Sequence, residues 1–149
     1  MKTMLAVLLA SLPAAATTLE FRIANPTFTD PSTCFDASFA SNPAAEFVIN
    51  FDVVSMDGEL LGTGQGCALA GTPAPELYVF ADGSVTVLAT VEQFGGPRSP
   101  NFIEFQSGVV TGGTGAYAGA QGTFSGHGPV FITSAGFDPQ QAFVLQLSN

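Results

Sequence analysis

Beyond the first sixteen residues, apolar and polar side chains alternate with a period of two, and β-branched and aromatic residues carry the alternation. Leu19, Phe21 and Ile23 alternate with Thr18, Glu20 and Arg22, which predicts a first strand. Phe35, Ala37 and Phe39 alternate with Asp36 and Ser38 after a proline-containing loop, which predicts a short second one. Phe47, Ile49, Phe51 and Val53 mark a long third strand, and Asp57-Gly58 is a hairpin signal. The return strand, from Glu59 to Ala70, carries Gly62, Gly64 and Gly66 at even spacing, so one of its faces is stripped of side chains. Glu76 to Ala81 lead to a second hairpin signal, Asp82-Gly83, after which Val85, Val87, Ala89 and Val91 share a face. Phe94 to Asn101 (FGGPRSPN) is a loop. Phe102 to Thr111, Pro129 to Ser134 and Ala142 to Leu147 resume the alternation. Eight or nine short strands at a spacing of about 8–12 residues, without linker or tandem repeat, predict an all-β antiparallel barrel or a sandwich.

One stretch invites a different reading. Val109 to Gly126 (VVTGGTGAYAGAQGTFSG) contains Gly113, Gly115 and Ala118 at the GxGxxA spacing of a dinucleotide-binding turn. That fingerprint needs a helix immediately after it, inside a βαβ unit. Gly119, Gly122, Gly126, Gly128 and Pro129 follow instead, too many breakers for a helix. The glycines Gly112, Gly113, Gly115, Gly119 and Gly122 are therefore read as the kinks and tight turn by which a small barrel bends its strands. Tyr117, the one large residue among them, is expected to pack back over the barrel end.

The N-terminus changes the compartment. Lys2, the apolar run Met4 to Leu12 and the small residues Ala14 to Ala16 have the layout of a secretory signal peptide, leaving Thr17 to Asn149 as a single mature domain. A run of nine residues is too short to span a bilayer, which needs about twenty apolar residues. Without Lys2 the only cations are Arg22 and Arg98, against twelve carboxylates, a balance that repels nucleic acid and anionic membrane. In an oxidising compartment Cys34 and Cys67 have one intramolecular pairing open to them, a disulfide.

The segment TGGTGAYAGAQGTFSG, Thr111 to Gly126, resembles the glycine motif of dirigent proteins and allene oxide cyclases, and Leu60 to Leu69 (LLGTGQGCAL) resembles the strand those families share upstream. The resemblance spans about half of the mature chain, from Gly62 to Gly126. It implies an eight-stranded antiparallel barrel, usually a homotrimer, with an apolar cavity open at one end. It also implies a small apolar ligand, lipid or phenolic, whose coupling or cyclisation is directed by confinement, with no metal and no cofactor. On that basis the protein is either a cofactor-free cyclase or isomerase, or an auxiliary that steers a reaction begun elsewhere. A non-catalytic secreted barrel for defence, adhesion or carbohydrate binding is the alternative, and a filled interior would favour it.

Candidate chemistry is sparse. His127 is the only histidine; it can be written into a triad with Ser125 and Asp138, but no nucleophile elbow accompanies it, and a surface position is the simpler reading. Polar residues at strand positions are the better candidates. Arg22, Asn50, Asp52 and Glu104 are the expected pocket residues, at least one of them pointing into the cavity, because a ligand-holding barrel keeps a few polar groups among its inward positions. A carboxylate inside an apolar cavity would have a raised pKa and serve as a general acid. Fourteen phenylalanines and no tryptophan supply the core and any aromatic lining.

Overall fold

The computed structural model describes residues 16–69, 73–95, 101–134 and 136–148. The apolar leader and Arg98 lie outside the described residues. Nine strands follow in order: β1 (Thr17–Thr29), β2 (Phe47–Val54), β3 (Leu60–Ala68), β4 (Ala74–Phe80), β5 (Gly83–Phe94), β6 (Asn101–Gly115), β7 (Gln121–Thr133), β8 (Gly136–Pro139) and β9 (Ala142–Ser148). They form one sheet in the order β6-β5-β4-β3-β2-β1-β9-β7-β8, and a further pairing of β7 with β6 closes it. Every pairing is antiparallel. The result is an eight-stranded antiparallel barrel with β8 as one additional strand.

β8 and β9 run along β7 in a single register, from Thr133↔Gly136 to Gln121↔Ser148. The ladder breaks opposite Gly128 and Pro129. Proline has no N–H to donate, and only the Pro129 carbonyl is bonded, accepting from the Gln140 N–H at 2.9 Å.

Alternation decides which side chains enter. Phe21, Ile23, Phe51, Val53, Tyr78, Val85, Val87, Phe124, Phe143 and Leu145 form the interior core, all of them at most 8% exposed. Several of these rings fit only because the facing strand carries glycine. A Cβ on Gly64 would lie 2.1 Å from the Phe51 ring, and one on Gly126 would lie 2.3 Å from the Phe143 ring. The side-chain-free face read from the spacing of Gly62, Gly64 and Gly66 is thus the bed on which a core ring rests.

The Gly-rich stretch runs strand, turn, strand, with no helix after Gly115. Gly112 and Gly113 lie within β6 and Gly115 ends it; Gly119 lies in the turn, and Gly122 begins β7's second position. Gly115 (φ +60°) and Gly119 (φ +77°) occupy the left-handed region that the turn demands. Tyr117 folds back so that its ring centroid is 5.7 Å from that of Phe80, covering this end of the barrel. β7 begins at Gln121, eight residues before the strand read from Pro129 onward.

The strand read over Phe35 to Phe39 does not form. Pro31–Thr33 makes a 3-10 turn, and Ala37–Ala40 is a one-turn helix, α1. The Asp36 carboxylate accepts the backbone N–H groups of Ser38 and Phe39, a helix cap that outweighs three alternating apolar residues. This segment packs on the outer face of β2 and β3 towards the opposite end of the barrel, where Cys34 and Cys67 form a disulfide with Cα atoms 6.0 Å apart. Phe39, Val48 and Ala74 pack around the bridge in a small second core.

Two outcomes are expected. Gly64→Ala should destabilise the protein by about 1–3 kcal/mol through overpacking against Phe51. Gly112→Ala, whose added carbon would meet only the Thr86 hydroxyl at 3.4 Å, should stay within about 0.5 kcal/mol of the parent. Urea unfolding measures both, and equal effects would refute the ring-on-glycine packing. Reduction of Cys34–Cys67, which spans 33 residues, should cost about 4 kcal/mol in the chain-entropy description, read as a lower unfolding midpoint with dithiothreitol.

Candidate ligand cavity and its buried carboxyls

The core rings fill only one end of the barrel. Towards the end nearer the disulfide, the interior opens into a cavity of about 570 Å³. Its floor is Tyr78, Phe51 and Phe143, its sides include Ile23, Ile49 and Ala89, and Phe28, Phe47 and Phe137 stand at the rim. The rim rings contact one another, Phe28 lying 5.2 Å from Phe47 and 5.6 Å from Phe137 between centroids.

β4 supplies the first polar group. Its inward positions read Ala74, Glu76, Tyr78 and Phe80, so a carboxyl stands in phase with apolar and aromatic neighbours. Glu76 is 9% exposed and Tyr78 1%. The Tyr78 hydroxyl donates to Glu76 Oε2 at 2.5 Å. Burial pushes the Glu76 carboxyl up to about 7, partly offset by the Tyr78 hydrogen bond and reinforced by the nearby Glu104 carboxylate. The Tyr78 hydroxyl is itself driven well above its ordinary range by the same burial and by Glu76.

β6 supplies the second. Glu104 pairs with Gln93 on β5 and with Gly128 on β7. Gln93 Nε2 donates to Glu104 Oε2 at 2.9 Å, while Gln106 Nε2 and Gln141 Nε2 both donate to Oε1 at 2.7 Å. Gln141 sits where the β8–β9 edge of the ladder is interrupted, and it reaches Glu104 across Gly128, which has no side chain to stand between them. Among the described residues the titratable groups lining the cavity are Glu46, Glu76, Tyr78 and Glu104, and no lysine, arginine or histidine joins them.

Of the four polar residues expected in the pocket, the structure places Glu104 inside and the other three on the outer wall. Arg22 projects from the face of β1 opposite Phe21 and Ile23. Asn50 and Asp52 project from the face of β2 opposite Phe51 and Val53, beside a shallower outer groove of about 360 Å³. There they hold chain segments together. Asp52 Oδ2 accepts from Asn25 Nδ2 at 2.7 Å, and Asn50 Oδ1 accepts from Gln65 Nε2 at 2.9 Å. Gln65 Oε1 in turn accepts the Phe35 N–H at 2.6 Å, tying down the segment that carries Cys34. His127 is exposed and stacks on Phe105 outside the barrel, 6.3 Å between centroids.

Sequence reasoning missed Glu76, Tyr78, Gln93 and Gln141. The signal for the first pair was present in Pro-Glu-Leu-Tyr-Val-Phe, where the glutamate shares its period with Tyr78 and Phe80. Gln141 had no such signal, because its inward position depends on pairing across Pro129.

No family model matches the chain, and no curated protein matches it by sequence. Among solved structures, a pterocarpan synthase dirigent protein is similar at 14% identity, with 99% of each chain covered and a TM-score of 0.49. A second pterocarpan synthase dirigent protein is 14% identical over 92% of this chain and 96% of its own, with a TM-score of 0.43. A pyocyanin demethylase is 17% identical over 90% of this chain and 100% of its own, with a TM-score of 0.44. These are likenesses of fold alone. The closed order of eight antiparallel strands meets the eight-stranded antiparallel barrel expected from the glycine motif.

The raised Glu76 pKa fixes the sign of a pH effect. Between an ordinary 4.5 and about 7, the folded chain keeps a proton at Glu76 that the unfolded chain releases. This group's stabilising contribution is therefore complete below 4.5 and is lost as pH rises through 7, a change of about 3 kcal/mol at most. Glu76→Gln should remove that part of the decline between pH 5 and pH 8 in thermal unfolding. A variant whose pH profile parallels the parent's would show that Glu76 titrates as an exposed carboxylate.

Proposed function

We propose that this protein is an exported dirigent-like barrel that holds a small apolar molecule inside and directs its cyclisation or coupling by fixing its conformation. The observation that carries this reading is the half-filled interior. The void lies within the range of about 300–1,000 Å³ typical of ligand sites, is largely apolar, and has a few convergent polar groups. A barrel used only as a rigid outer surface gains nothing from such a void, because each unfilled methyl-sized gap costs about 1 kcal/mol. Glu76, with a pKa of about 7, can take or give a proton near neutrality, and the Tyr78 hydroxyl orients it. Glu104, fixed by three amides, is suited to anchoring the ligand rather than exchanging with it.

Export is supported by the leader-like N-terminus and by the Cys34–Cys67 disulfide, which persists in oxidising compartments. Association between copies is supported by the outer face of β5 and β6, where Leu88, Phe94, Ile103, Phe105 and Val109 are all at least 39% exposed, and three is the number that the resemblance of the glycine motif implies.

N-phenyl-1-naphthylamine, a neutral dye that brightens in apolar sites, should bind the purified protein. Ala89→Leu, which fills the cavity wall, should weaken binding about tenfold or more while circular dichroism stays unchanged. Undiminished uptake by the filled variant would place the dye elsewhere and remove support for an interior site. Native mass spectrometry should show a trimer for the parent chain and monomer for Phe105→Asp; a monomeric parent would contradict the association.

A further inference from the structure

We propose that the cavity selects an aromatic ligand bearing a protonated amine and rejects ligands bearing a carboxylate or phosphate. This rests on the reading of the cavity as a ligand site and adds the charge and hydrogen-bonding character of what enters it.

The polar inventory of the cavity is one-sided. Two carboxyls, Glu76 and Glu104, face the same apolar space, a third, Glu46, stands at its mouth, and no cation lines it among the described residues. Of the chain's arginines, Arg22 points outward and Arg98 lies outside the described residues. Buried carboxylates ordinarily have a cationic partner, because an uncompensated one is costly to desolvate. Here the three glutamine amides direct their bonds to Glu104, and Tyr78 directs its proton to Glu76. Gln106 Oε1 remains, a buried acceptor on the cavity wall with no protein donor. Among the described residues the site lacks a free donor and a positive charge, and an ammonium group supplies both. An incoming anion would meet like charge on two sides.

The aromatic floor favours the same ligand. Tyr78, Phe51 and Phe143 present ring surface beside the carboxyls, and such faces attract cations and stack on flat rings. The chain's formal charge of −9 adds a field that draws cations towards the surface. The groups that face Glu76 are Tyr78 on its own strand, Gly66 on β3, Val87 on β5 and Glu104 on β6. None of them is cationic. The position of Glu76 near neutrality agrees with this arrangement, since a nearby cation would hold the carboxyl lower.

Three naphthalenes of nearly equal shape test the proposal: 1-naphthylmethylamine (a cation through this pH range), 1-naphthalenemethanol (neutral) and 1-naphthoate (an anion). Fluorescence titration at pH 8 should rank them in that order, with the amine about tenfold tighter than the alcohol and the naphthoate weakest. Affinity for the amine should rise between pH 6 and pH 8, and binding near pH 6.5 should release protons, read by calorimetry in buffers of different ionisation enthalpy. Glu76→Gln and Glu104→Gln, which keep the shape, should each narrow the gap between amine and alcohol, whereas Glu59→Gln, on the exposed β2–β3 hairpin at the filled end, should leave it intact. Equal binding of amine and alcohol, or preference for naphthoate, would overturn the charge selection while leaving the ligand cavity standing. Failure of all three probes to bind would overturn both.

Discussion

A sheet that closes on itself encloses only the volume that its inward side chains leave free. In this chain the inward positions alternate between rings and glycines, so that Phe51 lies over Gly64 and Phe143 over Gly126. Each ring occupies the space its neighbour has given up. This complementary packing lets one end of a narrow barrel fill to interior density while the other end remains open. The same alternation explains why the turn after Gly115 can bring Tyr117 back over Phe80 as a lid on the filled end. Closure, core and cavity are thus consequences of where glycine stands relative to phenylalanine.

The open end is where polar chemistry collects. Its two inward carboxyls are handled differently. Glu104 receives three amide N–H groups and is fixed in orientation, whereas Glu76 has one hydrogen bond, from the Tyr78 hydroxyl, with the Glu104 carboxylate nearby. The first is held in one orientation, and burial raises the second to about 7. The disulfide, with Gln65 and Asn50, secures the segment carrying the Asp36-capped helix to the outer wall beside this end. The outer-wall polar network therefore acts on the cavity indirectly, by holding the chain that borders it.

Much of this was legible in the sequence. Period-two alternation identified the strands, the Asp-Gly pairs identified two hairpins, and the even-spaced glycines of β3 marked a face without side chains. The Phe35–Phe39 strand failed because a single Asp36 side chain satisfies two backbone donors, a local bond that outweighs a short apolar pattern. Orientation was harder to read. On β6 the most apolar face, Ile103, Phe105 and Val109, turns outward, and the face with Glu104 and Gln106 turns in. Hydrophobicity alone points the wrong way there, because an open cavity tolerates polar residues while the apolar face is left exposed. Arg22, Asn50 and Asp52 oppose apolar faces that do enter the core, so for them the ordinary rule holds and keeps them outside. The inward turn of Gln141 depends on a ladder interrupted by Pro129, a long-range fact with no local signature.

The interior chemistry turns on carboxyls that face an apolar space with no cation beside them among the described residues. Carbon-13 NMR titration of the glutamate side-chain carboxyls in the folded protein measures it directly, with Glu76→Gln to assign the resonance. The account predicts that the Glu76 signal titrates near pH 7. A midpoint in the ordinary range near 4.5 would mean that the group sits in water or against a positive charge, and the description of the cavity would be wrong.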